Sequence, residues 1–84
     1  STRRVRDYGT SRLFGRDQNH LKLELVDKDS QNIMNGIAFS QQHHNNHIKS
    51  RNPFDIAFTI EENNYNGGNY TQLLIKDIKT EETE

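Results

Sequence analysis

The segment Asn63-Asn64-Tyr65-Asn66-Gly67-Gly68-Asn69 separates two stretches in which apolar and polar side chains alternate. Asn-Gly and Gly-Gly supply the positive φ angles that tight hairpin turns need. Before the turn, Phe54, Ile56, Phe58 and Ile60 share one face of a strand over residues 54–61. After it, Leu73 and Ile75 alternate with Gln72, Leu74 and Lys76 in a strand over residues 70–78. Ile78 falls out of phase, which predicts a bulge near Asp77. An isolated hairpin is marginal in water, so the rest of the chain has to supply more strands.

The first half contains them. His20-Leu21-Lys22-Leu23-Glu24-Leu25-Val26 places three leucines on one face and His20, Lys22 and Glu24 on the other, the two-residue period of a half-buried strand. Weaker patterns predict a strand over residues 9–14, ahead of the turn at 15–19. Another is predicted over residues 33–39, with Ile33, Ile37 and Phe39 on one face. Residues 40–49 are the only possible helix, and their Gln, His and Asn content predicts one or two turns. Pro53 opens the next strand, a tolerated place for proline. The order is β-β-β-(short α)-β-β. Five short strands in an 84-residue chain bury too little as an open sheet, and closing them removes the exposed edges. This predicts an all-β, five-stranded Greek-key barrel of OB-fold type with a short helix or turn between strands 3 and 4. An SH3-like barrel competes, although it normally lacks the helical insertion. Leu21, Leu23, Leu25, Ile37, Phe39, Phe58, Ile60, Leu73 and Ile75 are the expected core, and Phe58→Ala is expected to cost about 3–5 kcal/mol.

The run Arg3-Arg4-Val5-Arg6-Asp7 reads as a linker entered mid-chain. Residues 1–8 are therefore expected to lead from preceding domains, 9–79 to form the barrel and 80–84 to be an acidic tail. Hydrophobic residues make up only 30% of the chain, but their alternation is not that of a disordered segment. There are no cysteines, which excludes disulfides and thiolate metal sites and suits the cytoplasm. No apolar run reaches membrane-spanning length, so no membrane association is expected. The net charge of -1 is uneven: residues 1–28 hold seven basic and four acidic side chains, and the remainder four basic and eight acidic. A basic front half favours a polyanionic partner on one surface, although a solvated surface plus an acidic tail accounts for the same numbers.

Catalysis finds little support. There is no Cys and no glycine-framed Ser, and Asp55 and Glu61 lie about 20 Å apart along one strand, too far to cooperate as an acid pair. His43 and His47 have the i, i+4 spacing of paired metal ligands, yet no third ligand is evident, and a polar connection is the simpler reading of His43, His44 and His47. In an OB-fold the oligonucleotide site is flanked by the loops after strands one and four, here residues 15–19 and 63–69. Arg12, Arg16, His20 and Lys22 come from one side of that site. Tyr65, Asn66, Tyr70, Gln72 and Lys76 come from the other. Cations that track phosphates, mixed with rings that stack on unpaired bases, suit single-stranded nucleic acid. The expected phosphate track is Arg12, Arg16, His20 and Lys22, with Tyr65 or Tyr70 as the stacking ring.

Four blocks of the chain, in order, resemble the C-terminal OB-fold domain of the bacterial single-strand-specific exonuclease RecJ. They are residues 15–23 with His20-Leu21-Lys22-Leu23, then Ile37-Ala38-Phe39, then 54–67, and finally Gln72-Leu73-Leu74-Ile75-Lys76-Asp77-Ile78. The block from Phe54-Asp55-Ile56-Ala57-Phe58-Thr59-Ile60-Glu61-Glu62-Asn63 to Tyr65-Asn66-Gly67 carries the most specific match. The polar run 40–47, Gly68, Asn69 and Leu74 depart from the family pattern. The resemblance implies a module that holds single-stranded DNA beside an Asp-His-His-type catalytic core, which uses manganese or magnesium and degrades the strand from its 5′ end in recombination and repair. None of those catalytic motifs lies in these residues. The chain is thus expected to be monomeric, to carry no cofactor, to be inactive alone, and to have single-stranded DNA and the parent enzyme's catalytic domains as partners. The alternative is a scaffold that braces the catalytic domains with little DNA contact.

Overall fold

Leu21, Leu23 and Leu25 are fully buried along β3 (His20–Val26), and the residues between them are half-buried. The computed structural model that shows this describes residues 1–29, 31–65 and 67–80, with the backbone alone at Asn63 and Tyr65. Around β3 stand β1 (Thr2–Asp7), β2 (Arg12–Phe14), β4 (Met34–Ala38), β5 (Phe54–Tyr65) and β6 (Gly68–Lys79). β1 pairs with both β3 and β5, β5 pairs with β6, β6 with β4, and β4 with β3, so the sheet closes on itself. The β4–β6 pairing is parallel and the others are antiparallel. β1 and β2 both run along β3 and act as two halves of one strand. The result is the expected five-strand closed barrel, consistent with an OB-fold.

The segment expected to be a linker is part of this barrel. β1 occupies residues 2–7, with Val5 and Asp7 buried and Arg4 and Arg6 exposed. Its arginines gave it the composition of a solvated segment, but two of them meet acids: Arg3 lies 3.5 Å from Asp27, just past the end of β3, and Arg4 lies 3.1 Å from Asp55 on β5. The break between β1 and β2 is built from polar residues. The Ser11 backbone N–H donates to Asp7 Oδ1 at 3.1 Å, and the Tyr8 N–H donates to the Glu24 carbonyl at 2.8 Å. The Glu24 N–H donates to Ser11 Oγ at 2.9 Å. Asp7→Ala leaves the buried Ser11 N–H without its acceptor. It should cost about 1–3 kcal/mol, read as a lower urea midpoint, whereas Asp7→Asn, which retains an acceptor oxygen, should recover part of the loss.

The β5–β6 hairpin bears out both its turn and its bulge. Ala57 opposes Asp77 and Phe58 opposes Ile75, so Lys76 is an extra residue on β6. That insertion restores the phase and lets Ile75 and Ile78 both face the core. Between β4 and β5 the chain makes a single 3₁₀ turn (Gln42–His44) and the short helix α1 (Asn45–Lys49), which plants Ile48 in the core. Lys49 Nζ donates to the Ser11 carbonyl and ties α1 to the β1–β2 break.

Four expected core residues are placed differently. On β4 the inward positions belong to Gly36 and Ala38, while Ile37 is half-buried and Phe39, just past the strand end, is 53% exposed. The close parallel pairing with β6 dictates this phase: a Cβ on Gly36 would lie 3.3 Å from Leu73 Cβ and 3.2 Å from Ile75 Cδ1. Where only the smallest residues fit inside, the larger ones turn outward. Ile60 is 60% exposed because β5 runs past the end of β1, which pairs only with residues 54–57. Phe58 is half-buried and packs against the edge of the core.

Candidate functional site

The outward face of β2, β3, β4 and β6 is zoned in rows set by strand register. Arg12 stands opposite Lys22, Lys22 opposite Ile37, and Ile37 opposite Leu74. One row nearer the turn at residues 15–19, Phe14 stands opposite His20. Phe39 joins them: its ring centroid is 5.1 Å from that of His20 and 6.3 Å from that of Phe14. One row the other way, Glu24 stands opposite Asn35 and Gln72 opposite Glu61. Tyr70 lies farther along β6, opposite Asn63 and close to the hairpin tip.

Two like charges directly across a strand pair destabilise the sheet by up to about 1 kcal/mol. Arg12 and Lys22 are such a pair, and neither meets a carboxylate within ion-pair distance among the described residues. Arg16 stands exposed in the adjoining turn. An anionic ligand laid across this row removes the repulsion.

The residues expected from sequence therefore separate into two groups. Arg12, Arg16, His20 and Lys22 come together around the 15–19 turn. Tyr70 and Gln72 share the same sheet face, but Gln72 sits in the row that carries Glu24 and Glu61. Tyr70 lies about four residues, or roughly 13 Å, beyond the Lys22 row. Lys76 is the exposed bulged residue of β6. The Tyr65 ring and Asn66 lie outside the described residues.

Phe14 and Phe39 went unrecognised in the sequence. Its two-residue spacing from Ile37 predicts a core position for Phe39. The signal that places it outside is the pair Gly36 and Ala38, small residues at the alternate positions.

Elsewhere the surface offers other hollows, of about 550 and 490 Å³, on the flank of β1. They contain none of the Arg12, Lys22 and His20 cluster, and two of their arginines are already paired with Asp27 and Asp55. The histidines of the connection also do other work. His47 Nε2 is 3.0 Å from the Pro53 carbonyl oxygen, and the His43 and His44 rings meet at a tilt with centroids 4.1 Å apart. Among the described residues, no three His, Asp or Glu side chains are grouped as a metal site would require, and no helix is long and apolar enough to cross a membrane.

The family model described as the RecJ OB domain matches residues 2–77. The chain belongs to the RecJ OB domain family. That match begins within β1, in agreement with the barrel that β1 closes. Searches of curated proteins and of solved structures returned no match. As a RecJ OB domain the chain is of a nucleic-acid-binding kind, and its cationic row lies on the strand face where OB-folds take oligonucleotides.

Proposed function

We propose that this RecJ OB domain holds single-stranded DNA for a 5′-to-3′ single-strand-specific exonuclease of recombination and repair that works in the cytoplasm. The observation that carries the reading is the Arg12–Lys22 pair, two cations facing each other across β2 and β3 with Arg16 beside them. The strand's phosphates run along this row. Binding is sequence-tolerant, because the contacts are to backbone and to ring faces. The manganese or magnesium expected for the reaction belongs to the catalytic core of the parent enzyme, and no residue of this chain is assigned to it. The chain supplies binding, and the catalytic domains of the parent enzyme supply hydrolysis.

A bracing role draws on a different observation, the exposure of Ile33 and Ile60 away from the cationic row. Titration separates the two readings. A labelled oligonucleotide of about 15 nucleotides should bind at low salt, bind more weakly as a duplex, and lose affinity steadily with added salt. Equal affinity for the two forms, or no binding at low salt, would favour bracing.

A further inference from the structure

Phe39 is 53% exposed, although it sits in a barrel with few large apolar residues to draw on. It is not a loose side chain. The rings of Phe39 and His20 meet edge-on with an interplanar angle of 78°, and Phe14 packs against both. His20 is itself held from two sides. The Ser40 backbone N–H donates to His20 Nδ1 at 2.9 Å. Ser40 itself has φ +60°, a left-handed conformation that costs a non-glycine residue about 1–2 kcal/mol. On the other side, Gly15, with φ +98°, comes so close that a Cβ there would lie 2.9 Å from His20 Cδ2. A strained residue and an obligatory glycine thus hold a small aromatic group that is open to solvent. Backbone strain of this kind clusters at ligand clamps and active sites.

We infer that Phe39, braced by His20 and Phe14, is the ring on which an unpaired base of the bound strand stacks. The inference rests on the single-strand reading above and replaces the stacking ring expected from sequence. Its support is placement and charge. The Phe39 row is two residues, about 7 Å, from the Arg12–Lys22 row, so one nucleotide can lay its base on the ring while its phosphate meets the cations. Tyr70, by contrast, is separated from those cations by the row that contains Glu24 and Glu61. A protein surface laid on Phe39 would have to cover the repelling Arg12–Lys22 pair too, whereas a polyanion neutralises it. Because the ring is already held in place, little side-chain freedom is lost when a base arrives.

The chain contains no tryptophan, so Phe39→Trp introduces a single indole as a reporter. Two ligands of equal length are compared by anisotropy of an end label: oligothymidylate and an abasic deoxyribose-phosphate oligomer. Oligothymidylate should quench the indole emission in proportion to occupancy, and the abasic oligomer should bind without quenching. Phe39→Ala should weaken oligothymidylate binding about 5- to 150-fold, equivalent to roughly 1–3 kcal/mol for one stacked base, and leave the abasic affinity unchanged. Since Phe39 lies outside the core, its variants should keep the wild-type urea midpoint. If oligothymidylate binds with unchanged emission, and Phe39→Ala binds it as well as wild type, the stacking site is refuted and the ring is left to a protein partner, while the DNA-binding reading stands. If neither oligomer binds the wild-type chain at low salt, both are refuted.

Discussion

Phe54→Ala should remove a large share of the stability of the chain at 25 °C. Phe54 is the largest of the fully buried side chains, and it begins β5 where β1 closes the barrel through the Val5–Phe54 pair. Its ring also meets His47 edge-on at 6.1 Å, which links the α1 connection to the core. Truncating a fully buried phenylalanine costs about 3–5 kcal/mol, the transfer term plus the cavity left behind. At roughly 0.05–0.15 kcal/mol per residue, a domain of this size has a total stability of about 4–13 kcal/mol. Urea unfolding followed by circular dichroism should show the midpoint collapsing, or no transition at all. Phe58→Ala should cost less, because Phe58 is only half-buried. Equal losses for Phe54→Ala and Phe58→Ala would mean that the burial gradient along β5 is misplaced.

Removing Arg12 and Lys22 together should have the largest effect on binding and almost none on folding. Each cation that meets a phosphate of single-stranded DNA releases about 0.7 of a counterion. With Arg12, Lys22 and Arg16 in contact, log K should fall with log salt at a slope near -2, and the double alanine variant should flatten that slope by about 1.4. The same counterion term corresponds to a loss of roughly 50-fold in affinity at about 50 mM salt. Stability should hold or rise slightly, because the variant removes two like charges that face each other across β2 and β3. A double variant with wild-type affinity and an unchanged salt slope would move the phosphate track off this face.

Most of the architecture was legible in the chain because it depends on local rules. The leucines of β3 show the two-residue period, Asn66 and Gly67 mark the hairpin, and the misphased Ile78 announces the bulge at Lys76. The strand order, with its short helix between strands 3 and 4, pointed to the barrel type, and the family blocks agreed with it. The cationic half of the candidate site was legible for the same reason: Arg12, Lys22 and His20 lie on or beside strands whose alternation assigns them a face. β1 was not legible, because its three arginines resemble a linker and only its partners on β3 and β5 make it a strand.

Alternation in the sequence determined that residues 20–26 and the two arms around residue 66 would be strands, and that Lys22 would face opposite to Leu21 and Leu23. A side chain's face within its own strand needs no knowledge of the neighbours. What only the tertiary structure decided is which face of β4 lies inside, where β5 loses its neighbour, and which rings meet in space. Gly36 must face inward because Leu73 and Ile75 leave no room for a larger residue, and that contact joins positions far apart in sequence. The consequence is the outward turn of Ile37 and Phe39, which brings Phe39 against His20 and Phe14 beside the Arg12–Lys22 pair. Period-two patterning defines two faces for a strand. Which of them is buried is set by the close packing of strands that the sequence does not place side by side.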